Sequence, residues 1–237
     1  MSNQFLQRRR PRWLYVLAAG AGLIVMVAAG LVVQTALTPR PKESTTPPAA
    51  MPAPGAATAV GAGAFTPLHG SKVIDGVSVG YPHTLAGAVS AAVEYWSQIG
   101  STLDPGRAEA IGKVIADPSW PHAAAKLREG PVSARHGLGL PTSGAVPQGA
   151  SVVLTPVEYQ VRDSSAGQAM VLLLGYYATT LPGQASQTRI GVYPLDLHWD
   201  GTDWKALGPD TTTDYSDLEA QPGSAQASAD GWHPLAQ

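Results

Sequence analysis

Six histidines (His69, His83, His122, His136, His198 and His233) are the side chains best placed to move protons or bind a metal near neutral pH. None of them has another His or a carboxylate four residues away, and no HExxH string occurs, so the helical metal-site spacing is missing. Cysteine is absent, which removes thiolate ligands, thiol nucleophiles and disulfides. No metal and no cofactor are therefore expected. Gly76-Val77-Ser78-Val79-Gly80 has the G-x-S-x-G form of a nucleophile elbow. That motif needs a helix directly after it. Here Tyr81-Pro82 follows, and a residue before proline is pushed to extended backbone, so the match reads as coincidence. No catalytic residue is assigned.

Two short strings stand out instead. Tyr81-Pro82-His83-Thr84 places a histidine between a proline and the threonine that can cap a helix. His83 can be read as a proton shuttle or ligand; the plainer reading is a ring that hydrogen-bonds the turn and orders the helix entry. Trp199 and Trp204 flank Asp200-Gly201, where a cross-strand aromatic pair over a tight turn stabilises a hairpin by about 0.5–1 kcal/mol. An exposed tryptophan there could also anchor a partner.

The elements that must position these residues follow from patterning. Thr84 begins a helix with Leu85, Val89, Ala92, Val93, Trp96 and Ile99 at helical spacing, closed by Gly100. Asp104-Pro105 supplies an N-cap and a first-turn proline for a second helix, with Ala108, Ile111, Val114 and Ile115 on one face. Asp117-Pro118 repeats that start for a third helix, expected to end at Gly130-Pro131, with a Gly/Pro-rich connector over 136–149. Strands are then expected over 152–162, 169–179 and 188–199, the last bent or interrupted at Pro194, with a short fourth strand after Asp200-Gly201. In the first strand Val153, Thr155, Val157, Tyr159 and Val161 should share one side, opposite Glu158, Gln160 and Arg162. The second is apolar enough to be central and covered on both faces. Helices followed by an antiparallel meander predict an α+β domain: three helices on a curved four-stranded sheet, with Trp96, Val93 and Ile111 against Leu172, Leu174 and Leu197.

The rest of the 237-residue chain is organised around that domain. Trp13 to Val33 is 21 residues without a charge, long enough at ~1.5 Å per residue to cross ~30 Å of hydrocarbon. Arg8, Arg9, Arg10 and Arg12 precede it, which predicts a cytoplasmic N-terminus and an extracytoplasmic C-terminal domain. A cleaved signal peptide is the alternative, but its apolar region is usually shorter, and Gln34-Thr35-Ala36-Leu37 is a poor cleavage site. The expected layout is a basic head (1–12), a transmembrane helix (13–33), a disordered Pro/Ala-rich linker (34–66), the α+β domain (67–208) and an acidic flexible tail (209–237). Trp232 in that tail could hold a partner or fold back onto the domain. The net charge of −2 conceals the basic head; from Leu68 onward there are 9 Lys and Arg against 16 Asp and Glu. An acidic body argues against direct nucleic-acid binding.

The helical half, the meander and the closing Leu197-His198-Trp199-Asp200-Gly201-Thr202-Asp203-Trp204-Lys205 hairpin resemble the nuclear-transport-factor-2-like cone fold. With one membrane helix ahead of it, the chain resembles the bitopic scaffold proteins of bacterial conjugation and type IV secretion. The string Val79-Gly80-Tyr81-Pro82-His83-Thr84, followed by Gly87-Ala88-Val89 and Ala91-Ala92, is similar to actinobacterial membrane proteins of integrative conjugative elements. The resemblance implies a non-enzymatic scaffold or recruitment protein in the cell membrane, with other membrane proteins of a transfer complex, and possible homo-oligomers, as partners. Its candidate interaction motif is Tyr81, Pro82, His83, Thr84, Trp199 and Trp204. The alternatives are a tethered ligand-binding or isomerase-like cone domain, and a domain of an envelope lipid- or solute-transport complex, because one fold serves many functions. For the isomerase-like alternative the resemblance implies a Tyr, Asp or His inside the cone, which makes Tyr159, Tyr176, Tyr193 and Asp196 the candidates for proton abstraction beside a carbonyl; no spacing singles out a pair among them.

Overall fold

The computed structural model describes residues 63–237. The basic head, the 13–33 segment and linker residues 34–62 lie outside the described residues. No helix among the described residues is long and apolar enough to cross a membrane.

A hairpin of β1 (Lys72–Ile74) and β2 (Val77–Val79) comes first, followed by helices α1 (Leu85–Gly100), α2 (Pro105–Ile115) and α3 (Ala123–Gly137). The strands β3 (Ser151–Ser164), β4 (Gln168–Thr180), β5 (Gln187–Trp199) and β6 (Trp204–Ala206) then run as a meander. A 3₁₀ turn (Ser216–Leu218), a short α4 (Ala225–Ala229) and β7 (His233–Pro234) complete the chain. The main sheet is antiparallel with five strands in the order β6-β5-β4-β3-β7. The α+β class is as expected; the fifth strand is not, because it comes from the segment taken for a mobile tail.

Local chemistry starts the first two helices. The Thr84 hydroxyl accepts from Gly87 N at 3.0 Å, and the Asp104 carboxylate accepts from Gly106 N at 2.8 Å with Pro105 in the first turn. The third helix departs from expectation at both ends. It begins at Ala123 behind His122, whose backbone is left-handed (φ 59°) and whose side chain caps nothing. It continues through Pro131 to Gly137, although an interior proline costs about 3 kcal/mol. Burial of Leu127, Gly130, Pro131 and Ala134 on one face offsets that cost. Gly112 of α2 lets α3 approach closely: a Cβ on it would stand 2.8 Å from Ala124 Cα.

The helix-facing side of the sheet presents Val171, Leu173, Leu195 and Leu197 to Val89, Ala92, Tyr95, Trp96 and Ile99 of α1, all within one core. Leu172 and Leu174 point the other way, correcting the expectation that they pack on the helices. They form a second core with Ala220, Ala227 and Trp232. The central strand is thus covered on both faces, with the C-terminal segment as the second cover. Pro194 does not interrupt β5. It pairs with Leu172, while β6 reaches only Leu197–Trp199, so that edge of β5 has no ladder to lose at the proline.

The expected sidedness of β3 fails at a bulge. The register shifts between Pro156 and Glu158, and an extra residue in one strand reverses which face its successors occupy. Before the shift Val152 and Leu154 are buried and Val153 is 48% exposed; after it Tyr159 enters the helix-facing core. Glu158 and Gln160, on the opposite face from Tyr159, are buried beneath the C-terminal segment.

That segment, 209–237, is a strap and not a flexible tail. Trp232 is 4% exposed and donates from Nε1 to Leu218 O at 3.1 Å. Glu158 Oε1 accepts from Gly223 N at 2.8 Å, and Gln160 Nε2 donates to Asp230 O. Leu235 N donates to Val157 O at 2.8 Å. On its other side the strap meets the start of the domain: Phe65 N donates to Pro234 O and Ala236 N donates to Phe65 O, both at 2.8 Å.

Candidate functional site: an aromatic cluster at the helix entry

Residues 81–84 run from β2 into α1, and Trp199 and Trp204 end β5 and begin β6. More than a hundred residues apart in sequence, the two strings meet. Asp203, 4% exposed, joins them, its Oδ1 accepting from Tyr81 N and from Trp204 N, each at 3.0 Å. Trp204 Nε1 donates to Pro82 O at 3.0 Å, and Tyr95 Oη donates to Trp204 O at 2.7 Å. Trp199 and Trp204 meet edge to face, with centroids 5.6 Å apart and planes at 65°. His83 lies 4.3 Å above Trp199 in a parallel stack and 5.7 Å from Trp204, and its Nε2 contacts Ala166 O in the β3–β4 turn.

The hairpin turn that carries this floor is built by Asp200, whose Oδ1 accepts from Thr202 N (2.7 Å), Thr202 Oγ1 (2.8 Å) and Asp203 N (2.8 Å). Burial raises the Asp200 carboxyl, but the bonds from Thr202 and Asp203 outweigh it and hold the group below its ordinary range. Burial pushes the Tyr81 phenol up to about 12, and burial followed by the Asp203 charge pushes Tyr95 up as well. Both phenols therefore stay protonated at neutral pH. Polar atoms beneath the cluster are spent on internal hydrogen bonds, while Pro82, His83 and Thr84 are exposed. What remains outward is apolar and aromatic edge, chemistry suited to contact.

The structure thus brings all six singled-out residues into one cluster. Thr84 caps α1, while the His83 ring reaches past its own turn to Ala166 O in the β3–β4 turn and packs on Trp199 of the hairpin. Asp203, the residue that ties the strings together, was not singled out; its role depends on a backbone N–H 122 positions away, which no local pattern marks.

The four candidate acid–base residues are not brought together. Tyr159 and Tyr193 face the helices with Leu173 between them in register. Tyr193 packs on Trp96 at 5.4 Å, and burial, then Tyr177 and Glu219, raise its phenol. Tyr176 and Asp196 face the strap side: Tyr176 Oη accepts from Gln221 Nε2 at 3.0 Å, and Asp196 is raised by burial and then by Asp210. Ser78 of the G-x-S-x-G string sits in an antiparallel hairpin, its Oγ accepting from Gly70 N at 3.0 Å. Among the described residues no group of three or more His, Asp or Glu side chains is arranged to hold a metal ion. One isolated pair, His198 Nδ1 and Asp117 Oδ2 at 2.8 Å, fastens the α2–α3 turn to β5.

A family described as "Domain of unknown function (DUF8175)" matches residues 32–234. No curated protein and no solved structure matches the chain.

Proposed function

The chain belongs to this family, and from that premise we propose that it is a single-pass membrane protein whose extracytoplasmic domain recruits or assembles partners, as a scaffold component of a conjugative transfer or secretion apparatus. The observation that carries the reading is the convergence of Tyr81, Pro82, His83, Thr84, Trp199 and Trp204 in one cluster whose polar atoms are internally bonded; Tyr81 and Trp204 are buried beneath it, and Pro82, His83, Thr84 and the half-buried Trp199 ring are left for contact. The 21-residue apolar run behind four arginines supports the anchor. A tether confines such a surface to a layer near the bilayer and raises its effective concentration for partners in the same membrane.

A cone-like fold of the nuclear-transport-factor-2 type is part of the proposal, supported by the helical half packed on an antiparallel meander. An isomerase-like reading has less support, because the phenols Tyr159 and Tyr193 and the carboxylate Asp196 lie on opposite faces of the sheet.

The test is affinity purification of the full chain from membranes, with chemical cross-linking before solubilisation. Membrane proteins of a transfer apparatus should co-purify, with the yield lost in His83→Ala and Trp199→Ala and kept in His69→Ala. A strict monomer without membrane partners would overturn the proposal.

A further inference from the structure

Four large apolar side chains are prominently exposed among the described residues: Leu68 (41%), Val73 (68%), Ile74 (42%) and Val153 (48%). Isolated cases are ordinary, since much of any protein surface is apolar. Here three of the four fall within seven consecutive positions, on β1 and the segment just before it. The hairpin that carries them is fixed from beneath. Val77 and Val79 of β2 are buried, Ser78 N donates to Glu94 Oε1 at 3.0 Å, and Arg107 donates to the turn carbonyls of Asp75 and Gly76. An anchored inner strand therefore holds a wholly exposed outer strand, Lys72-Val73-Ile74, away from the core.

Charge gives the domain a direction. Residues 63–149, the hairpin and helices, carry six Lys and Arg against six Asp and Glu; residues 150–237, the sheet and strap, carry three against ten. An anionic lipid surface repels the second half and not the first.

We infer that the β1–β2 hairpin docks on a lipid bilayer by its outer edge, with Val73 and Ile74, which lie on opposite faces of the ribbon, flanking that edge at the headgroup boundary beside Leu68, Lys72 at the phosphates and the acidic strap half turned to water. The inference rests on the reading of residues 13–33 as an anchor, which ends the search for a membrane and leaves only orientation to be chosen. Insertion is shallow. Among the described residues only one edge of β1 is paired, and an open strand edge is excluded from hydrocarbon while its side chains are not, so the backbone stays at headgroup level.

The absence of cysteine makes the test direct. The full chain is reconstituted in phosphatidylcholine/phosphatidylglycerol vesicles as Val73→Cys or Val153→Cys, each labelled with an environment-sensitive fluorophore. Nitroxide-bearing lipids should quench the probe at position 73 about threefold or more over that at 153, as expected for a side chain seated in the interface. Adding Ile74→Asp to the Val73→Cys protein should remove the difference. Equal, weak quenching at both sites in protein that resists alkaline extraction overturns the docking and leaves the anchor standing. Extraction of the protein by alkali overturns the anchor and the inference with it. Disulfide formation between unlabelled Val73→Cys copies under a mild added oxidant, with no lipid quenching of the labelled protein, assigns the hairpin to a second copy of the chain, and likewise overturns it.

Discussion

The imidazole of His83 lies flat on the indole of Trp199, with ring planes 7° apart. The pair joins an exposed ring to a half-buried one, whereas Trp204 beneath them is 2% exposed. His83→Ala should therefore cost about 0.5–1.5 kcal/mol, the worth of a stacked pair. Trp204→Ala should cost about 3–5 kcal/mol, because it opens the core and takes one of two donors from the Pro82 carbonyl, which keeps Thr84 N. Denaturant titrations of both variants measure the gap. A wide gap makes His83→Ala a clean probe of recruitment, since the domain stays folded.

Gly112→Ala reverses the usual sign of a helix substitution. Alanine in a helix interior normally gains about 1 kcal/mol over glycine. At this position the new methyl meets Ala124 Cα at 2.8 Å and Leu127 Cδ1 at 3.0 Å, so α2 and α3 must separate. A net loss of about 1–3 kcal/mol is expected. An increase in melting temperature would show that the helices slide apart without cost.

Asp117 gives the fold an acid-sensitive joint. Its carboxyl is raised by burial, but hydrogen bonds from Ser119 and His198 outweigh that and hold it below its ordinary value. A lowered folded-state value means that the stabilisation is complete above the unfolded carboxylate's pKa of about 3.9 and is lost as pH falls through the folded value. Asp117→Asn should cost about 1–2 kcal/mol at pH 7 and little at pH 2, so the wild-type and variant stability curves should converge in acid. Parallel curves down to pH 2 would count against this assignment.

The strap is predicted to be integral to stability. Trp232→Ala empties the second core over Leu172 and Leu174 and should cost about 3–5 kcal/mol. Removal of residues 209–237 should bare that face, increase binding of a hydrophobic dye and favour aggregation. A truncated chain that melts as the full one does would mean that the strap only rests on the sheet.

How much of this was legible depends on the range of the interactions. The starts of α1 and α2 were readable because Thr84 and Asp104 act on amides two or three positions away. Strands β3 to β5 were readable from apolar runs between turns. The strap was not: its charge and low complexity indicate solvent, while its fixings are Gly223 on Glu158 and Asp230 on Gln160, 65 and 70 positions apart. The bulge after Pro156 hid the sidedness of β3 in the same way, since alternation read along a strand assumes an unbroken register. At the candidate site both strings were visible separately, and their meeting through Asp203 was not.

Phe65 bonds to both sides of Leu235 in the strap, to Pro234 O and Ala236 N, and Leu235 in turn bonds to Val157 of β3. Any pull on the polypeptide ahead of Gly63 thus arrives first at the terminal strand and only then at the sheet. Few hydrogen bonds share that load, and they lie at the rim, so traction should peel the last residues before it disturbs the helices. The clasp between Phe65 and the strap would then act as a mechanical fuse, letting go under tension and closing again when the strain is released, while Trp232 stays seated over Leu172 and Leu174.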